Sequence, residues 1–511
     1  MTPSNDLFDL LRSLTPQEKK FLTTQLTVPD GDESVYKKLY DAIERQNEYD
    51  EQKIKRQLSK TINERSFPVI KNRLFHIILD KLRVFYTDDL PDFIVRQMIE
   101  KAIILNDKKR TDAAWKMIKT AKELALSNEL FPEAIRALDR ERKIIQFLEI
   151  EAYERSIKEN LALEKATVEK HTNLTEYVNL DSKMFSIYKR NLIVRNKEEV
   201  DFFKELLKHP LLQDESSALS FRAKYYFFHI KSSCFYCLGE MEKSYVYAQM
   251  LIATFESAPI ANHEIGMLLH SLQQMTNIQG ALGKLADLMQ SINKIRDISK
   301  TYPRLAKNIP PYYPFKFSVV AETDLYLRIP DFAAGVALVP RIESELKKFG
   351  YALPKNERYV VYYNITLLYF GAGDYHKTLL WVNKILNENK EDYVLDLICG
   401  SRILFLIAHI ELGNDDLLQY AAQSTQRYLT TRKRKYKVET IFLDLLKLLL
   451  DPGRKKELLG IYPQLLDEFK TLMIDPYERG AFEYFDFISW CESKIQDRAF
   501  GEVVLEKANF K

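Results

Sequence analysis

The sequence predicts an all-α fold built from stacked antiparallel helix pairs. Glycine is scarce, with 15 in 511 residues, and many turns, bulges and phosphate-binding loops need the positive φ that glycine tolerates best. Apolar residues make up 46% of the chain and charged residues 29%, which suits a sizeable core beneath a solvated surface. Signals for β-strands are nearly absent, and the apolar run 315–321 is the one ambiguous segment.

Residues 1–90 are predicted to form a separate helical block. Thr15 is a candidate N-cap in front of Pro16, which suits the first helical position, and Glu18 adds an acidic first turn. A second helix is expected from about residue 34 to 47. A longer helix is expected after Pro68, because apolar residues then recur on one helical face.

The same block is divided in charge. Residues 52–83 hold nine Lys or Arg against two acids, whereas residues 18–51 hold nine acids against five bases. The basic half could form a small nucleic-acid-binding head. It could also dock on its acidic neighbour, which is the interpretation we favour.

From residue 91 onward the pattern is helix after helix, and a turn recurs at related positions. Successive turns lie about 40 to 47 residues apart where consecutive copies are visible. A further turn is expected near Gly280 or Gly283, with its register left open. The recurring turn residues are Lys109, Gly239, Pro330, Gly373 and Gly413.

A small side chain follows most of these turns five residues later. Ser244, Thr378, Gly335 and Ala114 hold this position, whereas Leu418 departs from it. Two paired helices must approach closely, so small residues suit the crossing point. One pair cannot bury both of its faces alone, and the pairs are therefore expected to stack on their neighbours.

These segments resemble the tetratricopeptide-like (TPR-like) helical-repeat family. The nearest approach to its motif is Tyr369, the turn Gly373-Asp374-Tyr375, Thr378 and Val382. The unit here is longer than the family's 34 residues. The resemblance covers residues 91–450 and implies a right-handed α-α superhelix, a solenoid of antiparallel helix pairs. Residues 451–511 would then supply C-terminal helices that cap the array.

The opening of the chain is similar to a second group, helical proteins of comparable length from Bacteroidetes-type bacteria. The residues that carry this resemblance are 14–21, Ala42-Ile43 and 49–51. It implies a bacterial cytoplasmic protein, and it supplies no activity.

Charge and cysteine content point to the same compartment. The net charge is +3 and there are four cysteines, which gives no global reason to expect nucleic acid and too few thiols for a disulfide framework. The first residues lack the pattern of a secretory signal, and no apolar run is long enough to span a membrane. We therefore expect a cytoplasmic protein without a membrane partner.

The expected function is a non-enzymatic scaffold that binds a protein or peptide, with no catalytic residue, cofactor or metal. Solenoids of helix pairs present a long concave surface, which the first helix of each pair lines in TPR-like grooves. By this resemblance the candidate ligand-binding residues are Tyr226, His229, Tyr236, Asp324, Arg328, Tyr363 and Asn364.

A basic run is the sharpest charge feature of the chain, formed by Arg432, Lys433, Arg434, Lys435 and Lys437. It could meet phosphates or an acidic partner, or it could be a solvated helix end, where cations suit the helix dipole. The basic half of residues 1–90 leaves one alternative function, a peptide-regulated nucleic-acid-binding regulator with a helical N-terminal head.

Other short motifs favour packing over chemistry. Cys234 and Cys237 form a Cys-x-x-Cys, but they are expected inside a helix, away from the N-terminal dipole that would lower a thiol pKa. The stretch 280–284 lacks the spacing of a phosphate-binding loop and is interpreted as a turn between helices. An all-α enzyme without a recognisable motif remains the other alternative.

Overall fold

The computed structural model describes residues 5–26, 33–46, 49–86, 90–147, 149–188, 197–257, 264–303, 309–350, 353–388, 395–432, 436–450, 458–475 and 478–509. Across these ranges the chain is helical, and none of their residues belongs to a β-strand. The predicted all-α class is confirmed. The ambiguous run 315–321 lies inside a helix.

The chain divides into two compact units, residues 1–173 with 307–311 and residues 174–306 with 312–511. We call them unit 1 and unit 2. Unit 1 holds α1 (Asp6–Ser13), α2 (Pro16–Gln25), α3 (Glu33–Glu44), α4 (Glu51–Gln57), α5 (Phe67–Tyr86), α6 (Pro91–Asp107), α7 (Thr111–Ser127), α8 (Phe131–Ile145) and the first part of α9 (Ile150–Tyr188).

Unit 2 holds the remainder of α9 and all later helices. These are α10 (Lys197–Leu207), α11 (Phe221–Cys237), α12 (Met241–Ser257), α13 (Ile265–Ala281), α14 (Leu285–Arg296), α15 (Ile298–Thr301), α16 (Tyr313–Arg328), α17 (Phe332–Phe349), α18 (Lys355–Gly371), α19 (Tyr375–Glu388), α20 (Leu395–Glu411), α21 (Asp415–Thr431), α22 (Lys437–Leu449), α23 (Leu458–Ile474), α24 (Phe487–Gln496) and α25 (Phe500–Asn509).

The first ninety residues have a core of their own, contributed by α1 to α5 and the residues between them. Helix α2 begins as predicted: the Glu18 amide donates to Thr15 Oγ1, and the Thr15 amide donates to the Glu18 carboxylate. Two bases of the basic half, Lys55 and Lys71, each lie 3.0 Å from the Glu51 carboxylate. These ion pairs join the basic half to the end of the acidic half.

One turn geometry recurs between paired helices. Gly239, Gly283, Gly373 and Gly413 all have positive φ, between 67° and 78°, where a side chain would be strained. The amide after each glycine donates to the carbonyl five residues before that amide, at 2.9 to 3.0 Å. Lys109 has φ 61° and the same hydrogen bond follows it. The turn that the sequence placed near Gly280 or Gly283 therefore lies at Gly283.

Helices contact both their neighbour and the next helix but one. Helix α16 packs against α13 and α14 before it and against α17 and α18 after it, and α18 packs against α19 and α20. In unit 1, α6 contacts both α7 and α8. These helices are therefore covered by more than their own partner helix.

Small residues occupy the crossing points as predicted. Ser244, Thr378 and Ala114 are completely buried, and Ser244 Oγ donates to the Ser232 carbonyl at 2.8 Å. A Cβ atom at Gly335 would lie 2.5 Å from Leu368 Cδ2, closer than side-chain packing allows. The absence of a side chain lets α17 approach α18 at this point.

The C-terminal residues share a core with the helices before them. Phe485, Phe487, Trp490 and Cys491 are buried in one cluster with residues of α18, α20, α22 and α23. The described chain forms a short 3₁₀ turn at Arg479–Ala481, and α24 starts at Phe487 behind the N-cap Asp486.

Membrane insertion was tested on helix length and hydropathy. None of the helices in the described ranges combines the length and the apolar composition that crossing a lipid bilayer requires.

Candidate functional site

The C-terminal segment, residues 478–509, packs against helices α17 and α18 through aromatic rings. Phe485 contacts Phe370 of α18, with ring centroids 5.3 Å apart. Phe485 also stacks on Phe500 of α25 at 5.6 Å, and Phe500 lies 6.5 Å from Phe332 of α17. This ring cluster holds the segment in place.

Between this segment and helices α11, α13, α16 and α18 lies a cavity of about 550 Å³, which we call the aromatic cavity. Its size is within the usual range for ligand pockets. A second cavity, of about 500 Å³, adjoins it. The two share the lining residues Leu327, Arg328, Asp486 and Val504.

Arg328 is fixed at the wall of the aromatic cavity. Its Nε donates to Asp324 Oδ2 at 2.5 Å and its Nη1 donates to the Gly280 carbonyl at 3.0 Å. A Cβ at Gly280 would lie 2.7 Å from Arg328 Nε, so the guanidinium can cross the end of α13 only because residue 280 has no side chain. Burial acts to lower the pKa of Arg328, but Asp324, Tyr236 and Glu483 raise it overall.

Three of the seven predicted ligand-binding residues meet at this cavity. Tyr236 comes from the end of α11, and Asp324 and Arg328 come from the last turn and a half of α16. Sequence reasoning placed them on the first helices of two different pairs, and the aromatic cavity lies between the ends of those helices.

Tyr226 and His229 belong to a different polar cluster, formed by α9, α11 and α13. His229 Nδ1 lies 2.9 Å from Gln274 Oε1, and the Gln274 amide donates to two serine hydroxyls. His229 Nε2 lies 3.5 Å from Asp181 Oδ1. Burial raises the pKa of Asp181, although the nearby His229 acts to lower it.

Tyr363 and Asn364, both predicted to bind a ligand, are buried against other parts of the chain. Tyr363 is 3% exposed and its hydroxyl donates to the Tyr484 carbonyl at 2.8 Å. Asn364 is buried and its amide donates to Thr323 Oγ1 at 3.0 Å. The physical reason is that the C-terminal segment covers Tyr363 and helix α16 covers Asn364.

We expect Tyr363→Phe to destabilise the fold by about 1–2 kcal/mol, because it removes a buried hydroxyl donor from the Tyr484 carbonyl. Urea unfolding followed by tryptophan fluorescence measures the effect. Tyr420→Phe is the matched control, since Tyr420 is 78% exposed and should show no change. Equal stability of the two variants would contradict the prediction.

The basic run is only partly described. Lys433, Arg434 and Lys435 lie outside the described residues. Arg432 is exposed at the end of α21, 5.8 Å from the centroid of the Tyr428 ring. Lys437 begins α22, where its backbone amide donates to the Glu478 carboxylate at 3.1 Å. The described members therefore sit at two helix ends.

The Cys-x-x-Cys lies inside α11, as predicted. Cys234 and Cys237 are both buried, and burial raises the pKa of Cys237 to about 12 and that of Cys234 further. Both thiols therefore stay protonated at neutral pH. Within the described ranges, no group of three or more His, Cys, Asp or Glu side chains is placed to hold a metal ion.

Sequence reasoning missed the C-terminal half of the site. Glu483, Asp486 and the rings of Phe482, Tyr484 and Phe500 line the aromatic cavity. Aromatic residues are dense between positions 482 and 500, and this could have indicated a packed C-terminal segment. The sequence alone does not show which helices those rings contact.

Comparison with known proteins gives no relative from which a function could be taken. No family model, curated protein or solved structure matches this chain.

Proposed function

We propose that this protein is a non-enzymatic scaffold that holds an extended segment of a partner protein or peptide in the aromatic cavity. One observation carries the proposal: Tyr236, Asp324 and Arg328 from α11 and α16 meet the C-terminal aromatic segment around a space of about 550 Å³. Rings and a few fixed polar groups around a concave space are typical of ligand sites.

The proposal includes a TPR-like superhelix for the helix pairs of unit 2. The recurring glycine turns, the small residues at crossing points and the contacts between alternate helices support it. In this arrangement α11, α13, α16, α18 and α20 form the inner row. The C-terminal segment then fills part of the concave surface, and the aromatic cavity is the part left open.

The test is a selection of short random peptides, displayed on phage, against the intact chain. Val504 lines both cavities and is half-buried, so Val504→Trp should fill the space. We expect the affinity of a selected synthetic peptide to fall at least about tenfold, a loss of about 1.4 kcal/mol.

The matched control is Leu505→Trp on the same helix, because Leu505 is 45% exposed and does not line either cavity. It should leave the affinity unchanged. Failure to select any peptide, or equal affinity for Val504→Trp and the unmodified protein, would remove the proposal.

A further inference from the structure

Carboxylates outnumber bases around the aromatic cavity. Asp324, Glu483 and Asp486 line it together with one base, Arg328. The adjoining cavity adds the acids Glu492 and Glu506 and the base Lys507. A ligand that enters this region therefore meets an excess of negative charge.

These carboxylates differ in whether they already have hydrogen-bond or ion-pair partners. Asp324 binds Arg328, and Asp486 caps α24 by accepting from the Ser489 amide at 2.9 Å. Glu492 is ion-paired with Lys507. Glu483 is exposed, and within the described part of the chain its carboxylate is in no hydrogen bond or ion pair, although its charge acts on Arg328. Its carboxylate oxygens are therefore open to a ligand.

Arg328 does not offer a comparable site for an anion. Its Nε and Nη1 are committed to Asp324 and the Gly280 carbonyl, and the Asp324 carboxylate compensates its charge. An anionic ligand would also have to approach Glu483 and Asp486, and like charges in a partly desolvated cleft repel strongly.

The walls of the cavity suit a cation as well. Six aromatic side chains line it: Tyr236, Phe332, Phe482, Tyr484, Phe485 and Phe500. The face of an aromatic ring carries negative potential and attracts an ammonium or guanidinium group. The long aliphatic stem of Lys or Arg also packs well on apolar walls.

We propose that the aromatic cavity selects a peptide segment by one Lys or Arg side chain, whose cationic group lies between Glu483 and the aromatic rings. This inference rests on the proposed function and narrows its ligand to a basic peptide. The stem of the bound side chain packs on the rings, and the peptide backbone continues toward the adjoining cavity.

The experiment compares the peptides selected by three forms of the intact chain. From a displayed library of short random peptides, the unmodified protein should enrich Lys or Arg at one position. Glu483→Lys should abolish that enrichment. It should also lower the affinity for a synthetic peptide of the enriched sequence at least tenfold. Glu468→Lys, the same charge change at an exposed position outside both cavities, should leave both results unchanged.

The salt dependence adds a second measurement. Because Glu483 is exposed, its attraction for a cation should weaken as ionic strength rises. The ratio of the peptide affinities of the unmodified protein and Glu483→Lys should therefore fall with added salt. Selection of peptides without a basic preference, unaffected by Glu483→Lys, would overturn this inference while leaving the proposed function standing. Selection of no peptide at all would overturn both.

Discussion

Gly501→Ala should destabilise unit 2 and open the aromatic cavity. A Cβ at residue 501 would lie 2.2 Å from the carbonyl oxygen of Gly371, a backbone atom that cannot rotate away. Overpacking of this kind costs about 1–3 kcal/mol, and it outweighs the roughly 0.5–1 kcal/mol that Ala gains over Gly within a helix. Helix α25 must move away from α18, and it carries Phe500 and Val504 of the cavity wall with it.

Gly460→Ala is the matched control for this substitution. Gly460 is an exposed position in α23, and a Cβ there would meet nothing within 4 Å. Urea unfolding should show the two variants shifted in opposite directions. Hydrogen exchange across residues 500–509 should quicken only in Gly501→Ala, and unchanged exchange there would show that α25 is not held by this contact.

The regular part of the fold could be predicted because its signals are local. A turn residue, followed in most copies by a small residue five positions later, marks the end of one helix and the start of its partner. These signals located Gly239, Gly373 and Gly413, and they placed even Lys109 correctly. The turn near Gly280 stayed ambiguous because either Gly280 or Gly283 could be the turn residue. In the structure the Lys284 amide donates to the Gln279 carbonyl, which makes Gly283 the turn residue.

The site could be predicted only in part because half of it comes from distant sequence. Tyr236, Asp324 and Arg328 were selected by their position relative to the predicted turns, and they line the aromatic cavity. Tyr363 was placed on an open groove by the same reasoning, yet its hydroxyl bonds to the Tyr484 carbonyl 121 residues away. No local pattern shows that the chain folds back at this point. The sequence of α18 therefore does not distinguish positions that the C-terminal segment covers from positions that it leaves open.

Glu322→Gln should destabilise unit 2 by about 1–3 kcal/mol, since it removes a buried charge that faces two guanidinium groups and leaves only Glu345 to pair with them. Glu322 of α16 is 7% exposed and is ion-paired with Arg296 of α14 and Arg341 of α17. Glu343→Gln is the control. Glu343 is half exposed and lies 3.8 Å from Lys384, and exposed pairs contribute at most about 1 kcal/mol.

The effect of Glu322→Gln should also depend on pH in a defined direction. Burial acts to raise the pKa of Glu322, but Arg296 and Arg341 outweigh it and hold the pKa below its ordinary value of 4.5. The ionised carboxylate therefore stabilises the fold fully above about pH 4.5, and this contribution is lost as pH falls through the lowered pKa. Urea unfolding at a series of pH values should show the difference between the two proteins constant near neutrality and shrinking in acid. A difference that persists unchanged to low pH would mean that shape and hydrogen bonding, rather than charge, make Glu322 necessary.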